Sequence, residues 1–282
     1  MKWERRTTII VLAVFIASLI GSVVFSFWTV YFDGYSAQSL GKSAYVVQPY
    51  VELAYILISL FVVTAAMLFL IKRNMSKTII GFFAFVSFFV LTEFFAIIMF
   101  AFGGDYIAPY VGLPAIIASA LIVLYYFKYA GQFMRNLINV IIFITIASVL
   151  AIALGPIPSL ILIGAIAVYD YVSVFITKHM LTLARGLLKD KGFLADITFM
   201  SKAKKSARAM LGGGDIVFPA ILIDSMFLWY SALEGTLMII AAVLGLSLIL
   251  FLGKRGKAYP AMAVIGPMQI LFFAVYSLVT FI

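Results

Sequence analysis

Nine apolar runs alternate along the chain with shorter polar segments, and each run is about 20 residues long, the length that spans a bilayer as a helix. They cover residues 7–32, 49–71, 78–102, 107–127, 136–154, 158–177, 212–233, 234–252 and 258–282. The sequence therefore predicts an all-α membrane protein with nine transmembrane helices. The division between the seventh and eighth helices depends only on the pair Glu234-Gly235. The first run follows Lys2, Arg5 and Arg6, but it is longer than the apolar core of a signal peptide, so we interpret it as a membrane span.

Basic residues predict the orientation of these helices. Of the 20 Lys and Arg residues, 19 fall in the N-terminal tail and the even-numbered loops, and only Lys42 falls on the other side. By the positive-inside rule, the N-terminus is cytoplasmic and the C-terminus is outside. We expect one polytopic domain, with helices one to six over 7–177, a basic cytoplasmic loop over 178–211 and helices seven to nine over 212–282. The loop is either a solvated, headgroup-binding segment or a gate over a site.

Composition restricts the chemistry. The chain is 65% hydrophobic and 11% charged, too few polar residues to cover a soluble surface of 282 residues. It contains no cysteine, which excludes disulfides, thiolate catalysis and cysteine metal sites. His179 is the only histidine, so the usual metal ligands are scarce, and we expect no cofactor. The net charge of +9 is explained by the cytoplasmic loops. We expect membrane lipid rather than nucleic acid as a partner, because no basic and aromatic binding module accompanies the charge.

Two aspartates, Asp170 and Asp215, lie in predicted helices six and seven, whose apolar runs contain no Lys or Arg. An ionised carboxylate is costly in hydrocarbon, so two carboxyls without a cation are best arranged to share one proton, as in an aspartic-protease dyad. Asp170 precedes Lys178 by eight residues and Asp215 follows Arg208 by seven. At 1.5 Å per residue these are similar depths of about 12 and 10 Å. Because consecutive antiparallel helices usually pack together, we expect the two acids to face each other.

Glycine and proline surround this pair. Residues 212–214 are all glycine, which allows close backbone approach beside Asp215. Pro219 deprives the Asp215 carbonyl of its helical donor, although proline is also simply tolerated near a helix start. Predicted helix nine opens on the same side with Tyr259-Pro260-Ala261-Met262.

These three motifs, in this order and at this depth, resemble those of the presenilin and signal-peptide-peptidase family of intramembrane aspartyl proteases. The resemblance covers the whole nine-helix layout, and the predicted cytoplasmic N-terminus is similar to that of presenilin. It implies that the chain cleaves transmembrane helices of other proteins without a metal. The family has leucine where this chain has Met262, a nearly volume-conserving change. By motif, the resemblance implies catalytic roles for Asp170 and Asp215, substrate-binding roles for Gly212, Gly214, Pro260, Ala261 and Met262, and supporting roles for Tyr169 and Pro219.

Other protease chemistries fit less well. The sequence has no His-Glu-x-x-His motif, which zinc-dependent proteases require. A serine protease would need a general base, and the only histidine, His179, lies in a loop at a predicted helix end. Prepilin peptidases also carry Gly-x-Gly-Asp, but typically with lysine where this chain has Val217.

The rival function from another class is a proton-coupled transporter. Glu93 and Asp224 each lie 16 residues from a cytoplasmic cation, Lys77 and Arg208. Both are therefore about 24 Å deep and could form a proton relay. The alternative is that each is a protonated acid bonded to a neighbouring helix. Asp224 is nine residues past Asp215, so it lies on roughly the opposite face of a helix. We found no internal repeat of the kind that transporters contain.

Overall fold

The computed structural model describes residues 5–32, 48–73, 75–103, 110–177, 196–200, 208–252 and 259–280. Within these ranges the nine predicted helices are confirmed. Seven are long and apolar enough to cross a membrane, whereas α4 and α7 have 17 residues each. The helices are α1 Arg5–Phe32, α2 Gln48–Lys72, α3 Ser76–Gly103, α4 Gly112–Lys128, α5 Gln132–Leu154, α6 Pro156–Tyr171, α7 Gly213–Trp229, α8 Ala232–Leu252 and α9 Met262–Thr280.

Helix α7 is the centre of the bundle. It packs against α1, α5, α6 and α8, and nearly all of its residues from Ile216 to Met226 are buried. Most apolar side chains of α2 are exposed, and most of those of α3 are only partly buried. The helix that carries Asp215 is thus surrounded by protein, while α2 and α3 present an apolar outer surface.

The predicted division between the seventh and eighth helices is wrong. Helix α7 ends at Trp229 and α8 begins at Ala232, so Glu234 lies inside α8. Ser231 explains the difference. Its hydroxyl accepts a 3.2 Å hydrogen bond from the Leu233 N–H, as a helix-capping serine does, and it donates a hydrogen bond to the Glu234 carboxylate.

A β-hairpin precedes α7, where the sequence predicted only a loop. Strands β1 Asp196–Met200 and β2 Arg208–Gly212 pair antiparallel, with Asp196 opposite Gly212 and Ile197 opposite Leu211. Ile197 and Leu211 are buried in the main hydrophobic core, which explains how so short a hairpin is held against the bundle. The remainder of the predicted loop, with His179, and Lys42 elsewhere in the chain, lie outside the described residues.

Two helix ends near the candidate site also differ from the prediction. Helix α6 ends at Tyr171 and continues as a π-helical turn, Val172–Ile176, a local widening that is frequent at functional sites. Helix α9 begins at Met262, so Pro260 and Ala261 precede it. The Ala261 carbonyl accepts hydrogen bonds from Val264 and Ile265 and so starts the helix.

Candidate active site

Asp170 lies in the last turn of α6 and binds the start of α9. Its Oδ2 accepts a 3.0 Å hydrogen bond from the backbone N–H of Met262, the first residue of α9, and the backbone of Ala263 also hydrogen-bonds the carboxyl group. The first N–H groups of a helix have no partner within the helix. The Asp170 carboxyl therefore caps α9 from another helix, and it lies where the helix dipole favours negative charge.

Asp215 is the third residue of α7, in its first turn. Its carboxyl group hydrogen-bonds the backbone of Gly212, the residue that caps this helix. An acid at the third position that reaches back to the cap residue makes one of the two bonds of a capping box, and Gly212 has no side chain to make the other. A Cβ added at Gly212 would lie 3.1 Å from Asp215 Oδ2. Glycine at this position therefore leaves room for the carboxyl group.

The carboxyl groups of Asp170 and Asp215 are close enough to interact electrostatically, and both side chains are partly buried. One comes from the end of α6 and the other from the start of α7, and each binds backbone at a helix N-terminus. The structure thus brings the two predicted catalytic residues together. Two partly buried carboxyls that repel each other when both are ionised are suited to holding one proton between them.

Gly266 is a site residue that sequence reasoning missed. A Cβ at this position would meet Ala167 Cβ at 3.0 Å and the Ile163 carbonyl oxygen at 3.2 Å. Gly266 therefore lets α9 pack closely against α6, one turn from the contact between Met262 and Asp170. The only signal in the sequence was the pair Gly266-Pro267 inside an apolar run, which does not reveal the partner helix.

The segment Pro260-Ala261-Met262 is buried next to Asp170, to which Met262 bonds. Gly214 is exposed, and a Cβ there would meet the Phe218 ring at 3.3 Å. The predicted substrate-binding residues thus lie at the starts of α7 and α9.

Of the two predicted supporting residues, one precedes Asp170 in α6 and the other follows Asp215 in α7. The Tyr169 hydroxyl donates a 3.0 Å hydrogen bond to Thr64 on α2, and its ring packs edge-on against Phe61. Tyr169 therefore connects α6 to α2. Pro219 is buried inside α7, one turn after Asp215.

The acids of the transporter hypothesis are not paired. Asp224 is fully buried and accepts hydrogen bonds from Ser22 and Ser26 on α1, whereas Glu93 is exposed on α3. The relay is unsupported, and Asp224 matches the alternative of an acid bonded to a neighbouring helix. Among the residues that the structure describes, no group of three His, Cys, Asp or Glu side chains could hold a metal ion.

Comparison with known families identifies the chain. The family model described as signal-peptide peptidase, presenilin aspartyl protease matches residues 8–282. The chain belongs to this family. As a presenilin-family intramembrane protease with several membrane-spanning helices, it is an integral, multi-pass membrane protein.

Solved structures of the presenilin family share the fold. A presenilin family intramembrane aspartate protease in space group C222 is similar with a TM-score of 0.66 and 21% identity, over 95% of this chain and 99% of that chain. A second structure with that description, in space group P2, has a TM-score of 0.63 and 23% identity, over 94% and 96% of the two chains. No curated protein matches the sequence.

Proposed function

We propose that this presenilin-family protein hydrolyses peptide bonds within transmembrane segments of other proteins, with Asp170 and Asp215 as its catalytic pair. The observation that carries this proposal is that the Asp170 carboxyl, at the end of α6, lies close enough to the Asp215 carboxyl, at the start of α7, for the two to interact electrostatically. Each is oriented by a backbone hydrogen bond, Asp170 by Met262 and Asp215 by Gly212. A carboxyl group has two oxygens that can each accept more than one hydrogen bond, so water and substrate can still bind to both aspartates.

The chemistry follows from one shared proton. The ionised aspartate takes a proton from a water molecule, whose oxygen attacks the scissile carbonyl carbon, while the protonated aspartate donates a hydrogen bond to the carbonyl oxygen. A tetrahedral intermediate forms. Its C–N bond then breaks as a proton is delivered to the leaving nitrogen, and the pair again holds one proton when the products leave. Neither step requires a metal ion.

In a helical substrate the scissile peptide group is hydrogen-bonded within the helix, so the helix must unwind locally before cleavage. The backbone N–H and C=O groups that are released then need new hydrogen-bond partners. The hairpin offers them. Strand β2 ends at Gly212 and leads directly into the turn that carries Asp215, so a substrate strand added to this sheet would extend beside the catalytic pair. The exposed Gly214 leaves the surface shallow at that point.

The decisive experiment is incubation of the purified protein, in detergent or liposomes, with a labelled transmembrane peptide. We expect cleavage products that disappear when a peptidomimetic with a hydroxyl in place of the scissile carbonyl is added, because it copies the tetrahedral intermediate. Asp170→Asn and Asp215→Asn proteins serve as controls for contaminating proteases. Cleavage that persists in both variants would exclude this function.

A further inference from the structure

A second carboxyl group, Asp224, is fully buried on α7 away from the catalytic pair. Its Oδ2 accepts a 2.7 Å hydrogen bond from Ser26 and a closer one from Ser22, both on α1, and Ser148 on α5 lies 3.5 Å away. All three serines are fully buried. Ser22 and Ser26 are about one helical turn apart on α1, and both hydroxyls donate to the same carboxyl oxygen.

This contact depends on small residues where the helices meet. Ser18, Ser22 and Ser26 recur at every fourth position of α1 and form a face of short side chains that lets other helices approach closely. On the adjacent side of α1, a Cβ at Gly21 would lie 2.8 Å from the Ile144 side chain of α5. Helix α1 therefore packs tightly against α5 while holding α7 through Asp224.

The next residue, Ser225, connects α7 to the helix that carries the other catalytic aspartate. The hydroxyls of Ser225 and Ser159, on α6, are 3.0 Å apart, and both are buried. The Ser225 hydroxyl also lies 2.7 Å from the Ile221 carbonyl oxygen of its own helix and 3.3 Å from the Ala151 carbonyl oxygen of α5. Asp224 thus bonds α7 to α1 and Ser225 bonds it to α6, while polar groups of α5 lie within 3.5 Å of both residues.

We call the set Ser22, Ser26, Ser148, Ser159, Asp224 and Ser225 the buried polar layer. Ser159 precedes Asp170 by 11 residues in α6, and Ser225 follows Asp215 by 10 residues in α7. At 1.5 Å per residue these intervals are about 16.5 and 15 Å. Because the two helices run in opposite directions, the bond between Ser159 and Ser225 places the two aspartates at nearly the same height.

We infer that the buried polar layer is a positioning device for the protease: Asp224 and its serine partners fix the height of α7 against its neighbours and thereby set the spacing of Asp215 from Asp170. This inference rests on the proposed catalytic pair. The hydrophobic effect is non-directional, whereas hydrogen bonds are directional, so the buried polar layer adds a restraint on the height of α7 to the one that close packing provides. A shift of one residue along α7 would move Asp215 by about 1.5 Å, and a misplacement of that size can cost about 100-fold in rate.

The energetics also argue against a role in stability alone. Asp224 Oδ1 is buried with no hydrogen-bond partner among the described residues. A buried carboxyl that is only half satisfied destabilises a fold, and replacing such a cluster by apolar residues of similar volume is often neutral or stabilising. The energetics therefore favour a role of Asp224 in the geometry of the bundle over a role in the free energy of folding.

The test removes the polar contacts while keeping the volume. We would compare wild type, Asp224→Asn, which keeps a carbonyl oxygen to accept the serine hydroxyls, and a triple variant with Asp224→Leu, Ser22→Ala and Ser26→Ala. We expect Asp224→Asn to stay within about 3-fold of wild-type kcat. The triple variant should unfold at no lower temperature than wild type, yet lose about 10-fold or more in kcat with little change in KM. Rates are divided by the concentration of active sites, which is titrated with the hydroxyl peptidomimetic. The affinity of the triple variant for this inhibitor should fall in parallel with its kcat.

A folded triple variant with wild-type kcat would overturn the inference. So would a loss of kcat in Asp224→Asn as large as that in the triple variant, because Asp224→Asn keeps the hydrogen bonds from the serines. If the triple variant does not fold, Ser159→Ala and Ser225→Ala, which each remove one hydroxyl, decide the question. Each should lower kcat without lowering the unfolding temperature, and unchanged kcat in both would overturn the inference. Failure of the catalytic proposal is separate, because it appears as activity retained in Asp170→Asn and Asp215→Asn.

Discussion

The backbone N–H of Met262 donates a 3.0 Å hydrogen bond to Oδ2 of Asp170, across 92 residues of sequence. This bond makes the first turn of α9 part of the candidate active site through its main chain. It also explains why the leucine of the family motif can be replaced by methionine here, since the group that binds Asp170 is an N–H that every residue except proline supplies.

Removing that N–H should impair catalysis. Met262 is the first residue of α9, a position that tolerates proline, so Met262→Pro deletes the donor with little harm to the helix. A hydrogen bond to a charged group is worth about 1.5–3 kcal/mol, so we expect kcat to fall about 10- to 100-fold. Met262→Ala removes the buried side chain but keeps the N–H, and it should lose much less. Equal activity of the two purified variants would show that the bond is irrelevant to turnover.

Asp170→Asn and Asp215→Asn should each abolish cleavage while leaving the fold intact. An amide occupies the same space but cannot exchange the catalytic proton. Activity would be measured as product mass from a labelled transmembrane peptide, with the thermal unfolding temperature as the check on folding. The matched control is Glu93→Gln, which makes the same chemical change on the exposed face of α3 and should retain full activity. More than a few per cent of wild-type activity in either Asn variant would remove that residue from the pair.

The rate of cleavage should follow a bell-shaped dependence on pH. The pair works with one proton, so activity falls at acidic pH as a second proton binds and at alkaline pH as the last proton leaves. The profile should be recorded at saturating peptide, with unfolding temperatures measured at each pH so that loss of fold is not mistaken for titration. A flat profile over the range in which the protein stays folded would contradict a shared proton.

Gly212→Ala should reduce activity through Asp215. The new Cβ would lie 3.1 Å from Asp215 Oδ2, closer than an ordinary contact, so the carboxyl group must move. Since Gly212 has a φ of −66°, alanine causes no backbone strain there, and the effect falls on the side chain. We expect about a 10-fold loss of kcat with an unchanged unfolding temperature.

Two other glycines provide controls for that change. Gly214→Ala meets the Phe218 ring of the same helix, which can rotate, and should cost less activity than Gly212→Ala. Gly81→Ala, in α3, has open space around it and should be silent. If all three variants kept wild-type rates, the close approach of Gly212 to Asp215 would have no bearing on catalysis.

Features encoded within a few residues of sequence could be read directly. Long apolar runs predict helices wherever they occur, because a backbone in hydrocarbon must satisfy its own hydrogen bonds. The acids in those runs were conspicuous for the same reason, since charge is costly there, and equal depth along two successive helices brought Asp170 and Asp215 to the same level. The resemblance to the family also rested on short motifs in a fixed order, and the family model over residues 8–282 establishes membership.

Local signals were weaker where two patterns competed. Helix α8 begins at Ala232 because Ser231 caps it. In the sequence the pair Glu234-Gly235 was the stronger indication of a helix boundary, so the cap at Ser231 was overlooked. The hairpin was missed because five-residue strands give little periodicity, and Ile197 and Leu211 become a pair only when the core buries them together.

What the sequence by itself determined was therefore the helices, their apolar character and the two acids beside the glycines. Which groups touch was decided by the tertiary structure alone: Met262 with Asp170, Gly266 with Ala167, and Asp224 with the serines of α1. Helix formation depends on neighbours along the chain, whereas these contacts join residues far apart in sequence. They exist only because the packing of several helices fixes the height and rotation of each one, and no single segment carries that information.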